Sequence, residues 1–187
     1  MGWSFKLHAG IAAGLSALLM VLGALTWLPG TLPLTGTKWP MAVIATLLFP
    51  VFVAAVLRGM LTGADRSAFW LAFSCLPGRV RAGLGALAVS GVVLLFAGLA
   101  GAGNLQAPEV RDGRYFVLDT TPHERGVIEV SRSEYVSVLE DDQRMMFAIP
   151  GLLFAGAAYF VLATGELRRA DARGTAPRPD TGARSVR

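Results

Sequence analysis

Within eight residues, Asp119-Thr-Thr-Pro-His-Glu-Arg-Gly126 holds an imidazole, two carboxylates and two hydroxyls. A catalytic centre needs an acid, a base and a nucleophile converging on one point. Pro122 and Gly126 mark this stretch as a turn-rich linker instead. His123, Asp119 and Glu124 are therefore read as solvated loop residues. Glu140-Asp141-Asp142 gathers three carboxylates, the donors that hard divalent cations take. Three consecutive helical residues point to different sides, so this run reads as a solvated face. Cys75 is the only cysteine, which excludes an intramolecular disulfide and a multi-cysteine metal site. His8 lies beside Lys6 and reads as a boundary residue. Gly98-Leu-Ala-Gly-Ala-Gly103 lacks the lysine of a phosphate loop, and no GxxxxGK(S/T), HExxH or CxxC occurs. The expectation is a chain without catalytic residues, metal ligands or a cofactor, and so not an enzyme.

The elements that carry these groups are set by hydropathy. Of 187 residues, 53% are hydrophobic and 16% charged, and the mean hydropathy is +0.53. Apart from His8, no ionisable side chain of the Asp, Glu, Lys or Arg type lies between Lys6 and Lys38, or between Lys38 and Arg58. The same holds from Gly83 to Leu105 and from Met145 to Gly165. A helix crosses the hydrocarbon core with about 20 apolar residues. Four spans are expected, over about 7–28, 40–57, 82–102 and 145–167. Intramembrane ionisable groups mark proton and ion pathways, and these spans have none away from their ends. The first span is longer than the apolar core of a signal peptide and lacks a good cleavage site, so it reads as an uncleaved anchor. Met1-Gly2 is followed by Lys6 where a myristoylation signal needs Ser or Thr. Pro50, inside the second span, predicts a structural kink.

Small residues recur four apart at Gly10 and Gly14 in the first span and at Ala82, Ala86 and Ser90 in the third. That spacing forms a groove where another helix can approach, so these five are expected to serve helix packing. Between spans two and three, Ala68–Leu76 is apolar but too short to cross a membrane, and Pro77-Gly78 stops it. Basic residues flank it, and it reads as an interfacial helix in which Cys75 is a bystander.

Residues 104–144 form the only extended polar segment between spans. Arg114–Leu118 and Val127–Val130 are short, β-branched and aromatic, as strands are. Ser131-Arg-Ser-Glu134 has the form of a helix capping box, with Tyr135, Val138 and Leu139 on one face of the helix it opens. The expected fold is thus an all-α membrane protein: a four-helix transmembrane bundle with a small strand–strand–helix cap between spans three and four. About forty residues make a weak core, so the cap should lean on the bundle or a partner. Residues 168–187, rich in Arg, Ala, Gly and Pro, are expected to be disordered.

Placing both termini and the loop over 58–81 on one side gives that side eleven of the 17 Lys and Arg residues. The positive-inside rule then puts it in the cytoplasm and the cap outside the plasma membrane. The net charge of +4 and pI of about 9.8 are divided by the membrane, which argues against nucleic acid as a partner. Gly113-Arg-Tyr-Phe116, Ile128-Glu-Val-Ser131 and Ser133-Glu-Tyr135, together with the layout, resemble the small uncharacterised four-pass membrane proteins of high-GC bacteria. That resemblance implies no activity and transfers no functional residue. The functional expectation is an accessory, sensing or partner-binding protein whose cap contacts a protein outside the cell, with membrane lipids as its other partners. Arg114, Tyr115, Phe116 and Tyr135 are the contact candidates, because aromatics and Arg dominate interface energetics. The alternative is a subunit of an oligomeric transport or permeation complex.

Overall fold

The computed structural model of the chain describes residues 2–28, 39–63 and 66–174. Residues 29–38, between the first two expected spans, and the tail beyond Gly174 lie outside the described residues. Among the described residues, five helices and three strands follow one another: α1 (Trp3–Leu25), α2 (Trp39–Met60), α3 (Arg66–Ser74), α4 (Gly78–Ala102), β1 (Leu105–Arg111), β2 (Arg114–Asp119), β3 (Gly126–Val130) and α5 (Arg132–Gly174). Among the described residues, α1, α2, α4 and α5 are long and apolar enough to cross a membrane.

These stretches form helices because a helix satisfies every backbone donor and acceptor within itself, which a lipid environment demands. Where they stop is also written locally. Thr26 ends α1 by turning its hydroxyl back onto the Gly23 carbonyl at 2.7 Å. Pro77 precedes the first turn of α4, and Gly103, at φ 53°, follows its last. Pro50 sits inside α2 without ending it.

α5 is the central element. Its 43 residues rise about 1.5 Å each, so it is roughly 65 Å long, about twice the hydrocarbon thickness. It packs against α1, α2, α3 and α4, and its first turns also carry β1 and β2. It extends through residues 168–174, which the composition had assigned to a disordered tail. The helix continues there because its final turns, Leu167–Ala172, contain no Gly or Pro.

The buried face of α5 combines alanines with Phe147, Phe154 and Val161. Ala157 and Ala158 meet Ala9 and Ala12 of α1, Ala55 of α2 and Leu84 of α4. Nearer the sheet, Phe147 and Phe154 pack on Leu19, and Ala148 packs with Met20 and Leu94. A Cβ added at Gly91 would stand 2.6 Å from both Leu152 and Met20, and one at Gly151 2.5 Å from Met20. Ser16, buried in α1, donates its hydroxyl to the Gly151 carbonyl at 2.8 Å. Small residues therefore do bring the helices together, but not those singled out by their spacing. Gly10 and Gly14 are exposed with nothing within 4 Å of an added Cβ, and Ala82, Ala86 and Ser90 are exposed on α4. Spacing of four marks a helix face but does not say which face the bundle buries.

The outside of the bundle is apolar. Leu18 and Val21 of α1, Phe49 of α2, and Val89 and Phe96 of α4 are all exposed, as a lipid-facing surface requires. All four tryptophans are exposed as well: Trp27 and Trp39 at one end of the bundle, Trp3 and Trp70 at the other. Indole rings prefer a membrane–water interface, and exposed tryptophans at both ends of the four candidate spans match that preference.

At the Trp27 end the sheet runs antiparallel in the order β1-β2-β3. β1, which the sequence reading left out, closes onto β2 through Asp112-Gly113. Both residues have positive φ (50° and 77°), the geometry of a tight hairpin turn. Pro108 and a shift in pairing between Gln106 and Glu109 interrupt β1, with Ala107 at φ 49°. The expected strands over 114–118 and 127–130 coincide with β2 and β3.

Candidate functional site

The cap's base is tied to the bundle by backbone and side-chain bonds that the short polar residues of its loops provide. Thr120 donates both its amide (2.8 Å) and its hydroxyl (2.7 Å) to the Asn104 carbonyl, just past α4. Asn104 in turn donates its side-chain amide to the Thr121 hydroxyl at 3.1 Å. Asp119 accepts from the Thr121 amide at 2.8 Å and its hydroxyl at 2.6 Å. Those two donors hold the Asp119 carboxyl below the usual carboxylate range. His123 occupies the turn itself, exposed, at φ 74°. His123 and Glu124 are both exposed and Asp119 is engaged in fixing the loop, so the three do not converge on one point.

On the other flank the capping box is formed. The Glu134 amide donates to the Ser131 hydroxyl at 3.2 Å, and the Ser131 amide donates back to the Glu134 carboxylate at 3.4 Å. One turn later Tyr135 lays its ring against Tyr115, with centroids 4.9 Å apart. This stack joins β2 to α5. Val117, on the same face of β2 as Tyr115, is buried, as is Val138 on α5.

Alternation along β2 sends Arg114 and Phe116 to the opposite, open face. The four contact candidates are thus divided: Tyr115 and Tyr135 meet each other, while Arg114 and Phe116 lie beyond the sheet. There Phe116, Leu118 and Val127 line a shallow hollow of about 190 Å³ with Ala107 and Glu109. The charged rim is internally paired. Arg114 stands 3.6 Å from Glu129, Arg111 stands 2.7 Å from Glu109, and the Arg111 guanidinium lies 5.9 Å over the Phe116 ring.

The sheet's two edges differ. β1 carries Pro108, which has no N–H to offer, and its bulge breaks the regular ladder; both blunt an edge. β3 has neither device. It pairs with β2 on one side, and among the described residues no strand lies along the other. Val127 is 54% exposed and Ile128 39% exposed, so β-branched apolar side chains stand on both faces of a free edge.

Beneath the cap sits a charged cluster that the sequence reading placed on a solvated face. Asp141 is in fact only 3% exposed. Arg144, one turn along, forms an ion pair with it and reaches Glu140 at 3.4 Å. The same guanidinium donates to the Thr26 hydroxyl at 3.0 Å and to the Thr26 carbonyl at 3.3 Å. It thereby clamps the end of α1 to α5. Gly101 of α4 lies so close that an added Cβ would meet the Asp141 carboxylate at 2.5 Å. Three helices converge on this pair, which fixes the direction in which α5 carries the cap. Glycines at Gly98 and Gly101, three apart on α4, were the available signal, since only close packing needs them there.

At the opposite end, Cys75 is exposed and free. Among the described residues, no group of three or more His, Cys, Asp or Glu side chains gathers as metal ligands. Comparison with protein-family models, with curated proteins and with solved structures found no match to this chain.

Proposed function

We propose that the protein is a non-enzymatic, multi-pass protein of the plasma membrane that presents its sheet outside the cell to a protein partner, as an accessory or sensing component. The β3 edge is the observation that carries this reading. A free edge offers main-chain donors and acceptors to an extended segment, which adds as a fourth strand while alternate side chains set specificity. Val127 and Ile128 supply those side-chain contacts, and the hollow around Phe116, with Arg114 on its rim, extends the surface. The Tyr115–Tyr135 stack and the Asp141–Arg144 pair have the supporting task of holding this surface rigidly on α5.

Orientation in the proposal rests on charge. Lys6, Arg58, Arg79, Arg81, Arg168, Arg169 and Arg173 all belong to the end of the bundle that carries α3. Cytoplasmic flanks of membrane helices are enriched in such residues, so that end is assigned to the cytoplasm, with both termini.

Photo-crosslinking probes at Phe116 and Val127, used in the native membrane with mass-spectrometric identification, test the reading. One discrete partner protein captured from both positions is expected, and Glu129→Pro should abolish capture by removing an edge donor, because Glu129 lies opposite Phe116 at a non-hydrogen-bonded position of the ladder. Capture of lipid alone, or only of other copies of this chain, would overturn it and favour an oligomeric permeation role.

A further inference from the structure

The end of the bundle opposite the sheet contains two adjoining cavities, of about 360 and 260 Å³, that share Glu166 and Arg169 of α5. The larger is walled by Leu76, Val80 and Leu162 and rimmed by Lys6 and Arg169. The smaller opens between α3 and the last turns of α5, where Arg173 adds a third cation. Glu166 is the one acid on either rim, and it stands 3.6 Å from Arg169. The rims together therefore carry an excess of positive charge over an apolar interior. The depth of the cavities is marked by α3. Its Phe69 and Phe73 pack edge-on against Phe160 and Tyr159 of α5 at 5.6 and 5.1 Å, while Trp70 and Leu71 face outward. An amphipathic helix docked this way, with an exposed tryptophan beside it, sits at the level of lipid headgroups.

We infer that this groove is a binding site for an anionic phospholipid, with the phosphate between Lys6 and Arg169 and an acyl chain laid along Leu76, Val80 and Leu162. A zwitterionic lipid would bring its own cation to a rim already rich in them. A soluble anion would leave the apolar wall uncovered. Only an amphiphile of negative charge matches both halves of the groove. The site is independent of the sheet edge and its partner.

The test is lipid retention by the full-length protein, extracted in detergent and exchanged against defined phosphatidylglycerol–phosphatidylcholine mixtures, read by native mass spectrometry. Wild-type protein should retain phosphatidylglycerol about tenfold over phosphatidylcholine. K6Q/R169Q should lose that preference, K6R/R169K should keep it, and Arg132→Gln at the far end should change nothing. Val80→Trp fills the apolar wall at a half-open position, so it should displace the lipid while leaving the charges in place, including where K6Q/R169Q fails to fold. Inorganic phosphate at millimolar concentration should not compete. Equal retention of the two lipids by wild type, retention unaffected by V80W, or displacement by phosphate alone would each overturn the assignment.

Discussion

Asp141 and Arg144 set the energetics of the cap's foundation, and single substitutions there should be severe. Removing one partner of a buried ion pair strands the other charge, which costs about 3–5 kcal/mol, whereas replacing both with apolar residues of similar size is far milder. Arg144→Met should accordingly lower stability by several times more than Asp141→Leu combined with Arg144→Met, as equilibrium unfolding in detergent would measure. A different residue-scale effect belongs to Tyr135. Aromatic pairs contribute about 0.5–1.5 kcal/mol beyond the area they bury. Tyr135→Ala should therefore speed hydrogen exchange through Arg114–Asp119 and leave α1 and α2 unchanged. Equal acceleration throughout the chain would mean that the stack is not local to the cap. Asp119 gives a pH dependence with a definite sign. Its folded-state carboxyl is held below the usual range by the Thr121 hydroxyl and amide, so its stabilising effect is present above the ordinary carboxylate pKa. That effect is lost as pH falls through the lowered value. Protection of the Thr121 amide, measured as exchange relative to its intrinsic rate at each pH, should fall in acid in the wild type, and Asp119→Asn should remove this dependence.

At the scale of elements, the contrast among glycines is the sharpest consequence of the packing. Gly91→Ala places a Cβ 2.6 Å from Leu152 and Met20. Overpacking of that kind costs about 1–3 kcal/mol. Gly14→Ala meets open space and gains helix propensity, up to about 1 kcal/mol. Thermal unfolding midpoints should fall for the first and hold or rise for the second. The same contrast explains how far the sequence could be read. Charge-free runs of twenty residues have one physical meaning, so α1, α2, α4 and the buried half of α5 were legible, as was the capping box at Ser131. β1 was not, although Asp112-Gly113 is a strong hairpin signal. Ala107-Pro108 broke the alternation that identifies a strand, because β1 is a bulged edge. Burial at Asp141 was hidden too. A carboxylate is placed inside only when a specific partner meets it, and the Thr26–Arg144 contact spans 118 residues of sequence. The Tyr115–Tyr135 stack was half legible: both residues stood out as aromatic, but their separation into an internal pair, with Phe116 beyond it, required the register of β2.

The whole molecule is organised along α5, which passes from the sheet through the bundle to the basic groove. Its continuity places the two proposed surfaces at opposite ends, one for a protein and one for a lipid. Substitutions confined to one end of α5 should therefore disturb one function without the other. Both assignments depend on which end faces out. The single native cysteine makes that directly measurable. In a Cys75→Ser background, Val127→Cys and Arg173→Cys would be treated in intact cells with a membrane-impermeant thiol reagent. The account predicts modification of Cys at 127 in intact cells and of Cys at 173 only after permeabilisation. Modification at 173 with protection at 127 would invert the molecule and contradict a sheet that meets its partner outside the cell.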